Sequence, residues 1–373
     1  MLVKTACIGV ITPSPRTLRI VRQKKLVSSY LCEITRGEVA YSDQMHLRWA
    51  AVSAHVLYRK QTKGTEGNVI VLRNAAKHGR ILLILGLLAG ATLPQLAQVL
   101  RPWLPELVAV LLFLTAMRVG HRMVLGSLTD LRRVVGFVLM LQLAAPLLAA
   151  TVLSMVGGLS HPFALAVVLM LAAPSVTGAP NFLIMMGKEP AHALRILVLG
   201  TALFPVTVLP VLWMLPALDS AEAIVAAFRL IVVILAATAA GFIVRAIAFP
   251  KMSGNAQVNL DGLSAVTLAI IVIGLMSEIG PLSQSDPRRL LGWAIAVLCL
   301  NFGLQIMTHL GTRHQDIPES AAVSIISGNR NIALFLIALP SDVTGPLLVF
   351  IGCYQIPMYL TPIVMQRVYR DSL

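Results

Sequence analysis

Apolar runs, each about the length of a membrane span, follow one another along most of the chain. They cover 81–100, 104–120, 134–157, 162–186, 191–215, 222–248, 258–280, 288–310, 318–339 and 343–366, with short polar links between them. At 1.5 Å per residue, about 20 residues carry a helix across a hydrocarbon core about 30 Å thick. The pattern predicts an all-α polytopic membrane protein with ten transmembrane helices, the second of them short. Residues 1–72 do not share it: they hold Arg16, Arg19, Arg22, Lys24, Lys25, Arg36, Arg48, Arg59, Lys60 and Lys63, and no apolar run long enough to span. ACIGVITPSP, from position 6 to 15, is too short and too broken by proline for a signal peptide. Three readings of this basic tail are open: a disordered arm, a small basic module, or a translation start assigned too early.

Loop charge tests the count, because lysine and arginine collect on the cytoplasmic side of a membrane. With an inward start, one side receives Arg73, Lys77, Arg80, Arg118, Arg122, Arg132, Arg133, Lys188, Arg195, Arg245, Lys251, Arg313, Arg367 and Arg370. The other receives only Arg101, Arg288 and Arg289, beside Asp219, Glu222, Asp286 and Asp342. An even number of spans with both termini cytoplasmic preserves that asymmetry. This distribution also accounts for the formal net charge of +14 without a nucleic-acid partner; the lipid bilayer is the partner implied. Cys7, Cys32, Cys299 and Cys353 are scattered, with neither metal-ligand nor disulfide-framework spacing. No nucleophile or acid/base pair stands out, so an enzyme is not expected, and neither is a cofactor.

Two apolar runs are interrupted in the same way. PSVTGAPNFLIMM (174–186) and SIISGNRNIALFL (324–336) align on their glycines: Thr177-Gly178-Ala179-Pro180-Asn181 against Ser327-Gly328-Asn329-Arg330-Asn331. The first lies in the fourth run and the second in the ninth, equivalent places in two five-helix halves, 80–215 and 222–368. Five is odd, so the halves have opposite orientations. Matching breaks in inverted repeats point to a secondary transporter whose discontinuous helices meet near the midplane. Gly178, Pro180 and Gly328 supply the helix breaks, since freed backbone groups are tolerated at that depth only beside protein or a water-filled cavity. Asn181 and Asn331 can cap a half-helix, bond the crossing segment or coordinate a solute.

These residues resemble the bile acid:sodium symporter family in its bacterial members. The resemblance spans about 80–368 and is carried by LQLAAP (141–146), AAPSVTGAPNFLIMMGKEPAHAL (172–194), LFPVTVLP (203–210), LNFGLQ (300–305) and SGNRNIAL (327–334). It implies ten helices in two inverted repeats, with broken helices 4 and 9 crossing in a core domain beside a separate panel domain, in a bacterial inner membrane. It also implies that Gln142 and Asn181 belong to a sodium site and that Asn331 follows the ninth-helix break. The chain departs from the family at several positions: Ile326 stands where a sodium-binding glutamate is expected, Pro180 where a hydroxyl residue is, and Arg330 where a glutamine is. A guanidinium among sodium ligands would be repulsive, so coupling to sodium in the family's usual way is not expected. A related arsenite-exporting branch has a cysteine in the broken fourth helix, which 173–181 lacks.

Arg330 has three readings. It replaces a sodium ion as the positive pole of the crossing; or it binds a carboxylate or sulfate with its planar fork; or it snorkels to an interface or pairs with Glu278 or Glu319. Asn301 and Gln305, four apart on one helix face, either line the same cavity or bond neighbouring helices. Thr177, Ser327 and Asn329 complete the candidate binding set with Gln142, Asn181, Arg330 and Asn331. The expected function is secondary transport of an organic anion, a bile-acid-like sterol or a small carboxylate; the alternative is a non-transporting receptor or scaffold.

Overall fold

The computed structural model describes residues 70–120, 131–216, 218–250, 252–313 and 319–369. Of the basic tail, all but 70–72 falls outside the described residues. The described chain is helical throughout. A short helix α1 (Ile70–Lys77) is bent by 84° from α2 (Gly79–Thr92). Then come α3 (Pro94–Leu100), which runs through a 3-10 turn (Arg101–Trp103) into α4 (Leu104–Val119), and α5 (Leu131–Leu139), which passes through a π turn (Met140–Ala144) into α6 (Ala145–Met155). They are followed by α7 (Pro162–Ala172), α8 (Ala179–Met185), α9 (Ala191–Leu212), α10 (Ser220–Ala248), α11 (Gly254–Leu275), α12 (Ile279–Ser285) and α13 (Pro287–Arg313). Last are α14 (Ser320–Gly328), a 3-10 turn (Ile332–Leu334), α15 (Phe335–Ala338) and α16 (Ser341–Val364).

Local chemistry sets many of these limits. Proline at the first position opens α3, α7 and α13, where the missing N–H costs nothing. A capping box opens α10: the Glu222 N–H donates to Asp219 Oδ1 at 2.7 Å, and the Asp219 N–H to Glu222 Oε2 at 3.0 Å. α4 stops at Gly120, whose φ of 73° is a left-handed value that glycine adopts without strain.

Among the described residues seven helical stretches are long and apolar enough to cross a membrane, or eight if the bent pair α1 and α2 forms one span. The protein is therefore a polytopic helical membrane protein. Seven of the ten apolar runs correspond to these stretches, and the other three fall short for identifiable reasons. The fourth and ninth are interrupted, so neither half of either is span-length. The first ends at Thr92, because Pro94 starts a new helix that continues into the second run and makes Pro94–Val119 one stretch. The short second helix of the sequence reading is thus a long one.

The spans pack as two groups. α2, α3 and α4 lie against α11, and α4 also lies along α10; α5 to α9 assemble with α13 to α16. Close approach of α2 and α11 depends on small residues: a Cβ on Gly90 would lie 2.6 Å from Met276 Cβ. The ends of the helices differ. The basic end carries the Arg118–Asp261 ion pair and the Arg245 bond to the Met117 carbonyl; the opposite end carries the Arg101–Glu278 pair.

Toward the opposite end one apolar cluster joins both groups. Leu104, Val108, Ala223, Leu230 and Ile271 of the first group pack with Leu169, Phe204, Trp293, Phe335 and Phe350 of the second. Toward the basic end the groups have separate cores. One holds Val134, Val138, Leu183, Ile196, Ile325 and Met358; the other holds Leu114, Met117 and Leu260. Among the described residues the interface between the groups is thus packed over one half and lacks a shared apolar core over the other.

Candidate functional site

The two interrupted helices meet. α7 ends at Ala173, which is extended (φ −63°, ψ 149°) because Pro174 disfavours the helical conformation in the residue before it. α14 ends at Gly328, and Asn329 is extended (φ −119°, ψ 95°). These extended stretches lie antiparallel, with Ser175 opposite Arg330. The Val176 N–H donates to the Asn329 carbonyl at 3.0 Å, and the Asn331 N–H to the Pro174 carbonyl at 2.8 Å. Each break therefore satisfies main-chain groups that the other leaves open, which water-free surroundings require.

Arg330 sits inside this crossing at 2 % exposure. Its three guanidinium nitrogens donate to carbonyls of three separate segments: Nε to Ser327, Nη1 to Ala173 and Nη2 to Leu141, each at 3.2 Å. Its own N–H donates to Tyr354 Oη at 2.9 Å, and that hydroxyl donates to the Gly328 carbonyl. Among the described residues no carboxylate lies within ion-pair distance of it. Glu278 accepts from Arg101, and Glu319 lies 3.4 Å from Arg133 and 3.5 Å from His192. The snorkelling and acid-pairing readings of Arg330 are thereby corrected: the side chain is turned inward, and both acids have other partners.

Behind the crossing is a closed polar network. Asn301 Nδ2 donates to the Gly328 carbonyl and, at 3.4 Å, to Asn329 Oδ1. Gln305 Nε2 donates to Asn301 Oδ1 at 2.7 Å and to Thr361 Oγ1 at 3.1 Å; Tyr369 Oη donates to Gln305 Oε1 at 3.2 Å. Asn329 Nδ2 donates to the Ile325 carbonyl at 2.8 Å, and Ser327 Oγ to Ser324 and Leu304 carbonyls. Asn301, Gln305 and Asn329 are fully buried, so of the two readings for the α13 pair the geometry is that of interhelical bonding. The spacing also leaves no room for a side chain on Gly328, where a Cβ would lie 2.6 Å from Gln305 Cγ.

The other candidates lie apart from this network. Thr177, Gly178, Pro180 and Asn331 are half-buried and Asn181 is exposed, a row of polar and small residues at the accessible edge of the crossing. Gln142, in the π turn, is 1 % exposed; its Nε2 lies against Gly200 of α9, and its Oε1 has no hydrogen-bond partner among the described residues. π turns recur at functional sites because they re-aim backbone groups. Here the re-aimed stretch offers the Leu141 carbonyl to Arg330.

A sodium ion takes several oxygen ligands at once. The carbonyls directed into the crossing already accept guanidinium N–H groups, the residue two before Gly328 is the buried Ile326, and Asn181 faces out. The residues present do not fit sodium at this place. Among the described residues no group of histidine, cysteine, aspartate or glutamate could hold a metal either. Sequence reasoning missed Tyr354 and Thr361. Both stand in an apolar run of α16, and nothing local marks them as facing the crossing. No protein-family model matches the chain, and no curated protein is significantly similar to it.

Proposed function

We propose that this chain is a secondary carrier that moves an organic anion across a membrane by alternating access. One observation carries the reading: two interrupted helices meet in the interior of a polytopic membrane protein and complete each other's main-chain bonding. Ordinary spans do not pass through such a crossing; transporters use one to expose backbone and polar groups to a solute. In this reading 80–215 and 222–368 are inverted five-helix halves, helices 4 and 9 cross in a core domain of α5–α9 and α13–α16, and the other spans form the panel. The apolar cluster joining both groups at one end, beside separate cores at the basic end, fits a state open from the basic end. Both termini are then cytoplasmic. The anion preference follows from the buried positive charge of Arg330, which has no acid partner among the described residues and raises the potential of the crossing.

Reconstitution tests the reading. Proteoliposomes should take up a labelled sulfonated sterol or a small carboxylate in a saturable manner. Absence of flux of any organic anion, with or without a sodium gradient, would overturn it in favour of a receptor or scaffold.

A further inference from the structure

We infer that Arg330 is the resident cation of the crossing: its guanidinium fills a cage of main-chain carbonyls that would otherwise need a mobile cation, so that no alkali ion binds there. The transport half of this inference rests on the carrier reading; the binding half does not.

The cage is built from the backbone. Ala173 follows the last turn of α7 and Ser327 lies in the last turn of α14, so both carbonyls belong to helix C-termini. The last carbonyls of a helix lack intrahelical partners, and the macrodipole makes them negative. Leu141 adds a third from the π turn. Three negative carbonyls converging where water is excluded, with no donor between them, would repel one another and remain unsatisfied. Something positive has to stand there.

The side chain that stands there is suited to staying. Its charge is permanent and its donors are spread in a plane, so Nε, Nη1 and Nη2 reach carbonyls of three different segments at the same 3.2 Å. It is also covalently part of the crossing, being the residue opposite Ser175. A mobile ion would tie closure of the crossing to its own concentration, whereas a tethered one holds the break together at every stage of a cycle. The functional consequence is a carrier that works without a sodium gradient.

The test uses the full chain in detergent, compared in sodium, lithium and choline chloride at equal ionic strength. The wild-type unfolding midpoint should be the same in all three salts. Arg330→Ala should unfold at a lower temperature and regain stability, saturably, with millimolar methylguanidinium, because a ligand that binds only the folded state raises its midpoint. A saturable rise of the wild-type midpoint with sodium and not with choline would overturn the inference, as would an Arg330→Ala protein that responds to no added cation. Should Arg330→Ala fail to fold, the wild-type salt comparison still decides, and Arg330→Lys, which keeps a charge in the cage, should likewise ignore sodium. In proteoliposomes, uptake that needs sodium would overturn this inference and leave the carrier standing; no uptake would overturn the carrier and leave the resident cation standing.

Discussion

Tyr354 and Tyr359 allow one substitution to be read in two surroundings. Both lie on α16, five residues apart, with buried hydroxyls. Tyr354 Oη accepts the Arg330 N–H at 2.9 Å and donates to the Gly328 carbonyl; Tyr359 Oη has no partner among the described residues. Tyr354→Phe leaves the ring and its stacking on Phe350, at 5.7 Å, intact. It strands a buried backbone donor, while Gly328 keeps its bond from Asn301. An unsatisfied buried polar group costs about 1–3 kcal/mol, so Tyr354→Phe should lose about that much. Tyr359→Phe removes a group already paying the desolvation penalty and should be neutral or stabilising by about 1 kcal/mol. Since each kcal/mol moves the midpoint by about 2–4 °C in a domain of 150–250 residues, the two midpoints should lie several degrees apart, with wild type between them or level with Tyr359→Phe. Matched thermal unfolding of the purified proteins measures this. Equal losses in both variants would refute the reasoning, because Tyr354 would then be held by ring packing alone.

Gly328→Ala should destabilise by about 1–3 kcal/mol through overpacking against Gln305, whereas Gly303→Ala, with open space around its Cβ, should be stabilising by about 0.5–1 kcal/mol from helix propensity; unfolding midpoints separate them. Arg101→Ala should change stability by no more than about 1 kcal/mol, since each side chain of the Arg101–Glu278 pair is about one-third exposed and screened; a larger loss in the same assay would show that the pair closes the opposite end. With Cys7, Cys32, Cys299 and Cys353 first replaced, Asn181→Cys should react with a membrane-impermeant maleimide in vesicles that present the basic end, and Leu347→Cys, fully buried in the shared cluster, should not react from either side. Labelling of Leu347→Cys from the opposite end would contradict the packing of that half.

Helix positions were legible wherever burial in lipid decides the residue type, as in 222–248, because a run that must face hydrocarbon has no choice of composition. The two breaks were legible from the same cause inverted: Gly178, Pro180, Gly328 and Arg330 are costly in a plain span and mark themselves. That these breaks join by main-chain bonds leaves no side-chain signature, so the Ser175–Arg330 pairing could be expected only in outline. The first span was misjudged at Pro94 because proline ends one helix and begins another with equal ease. Asn301 and Gln305 illustrate a further limit. Their spacing places them on one face, but whether that face meets water or another amide is set by α14 and α16, far away in sequence. The acid partners of Arg330 failed for the same reason, since Glu278 and Glu319 were nearer to Arg101 and Arg133.

The π turn at Met140–Ala144 bears on how this chain should be aligned with others. A π turn holds one more residue than the α turn it replaces. Deleting a residue there would restore a regular helix and leave α5 in its present register with α6, because the wider turn takes up the extra residue locally. Val134 and Val138 would keep their cluster, while the Leu141 carbonyl would return to the helix ladder and turn from Arg330. Comparison by residue count will therefore slip by one across this span in any relative that lacks the turn, and a gap placed inside 140–144 is the correct one.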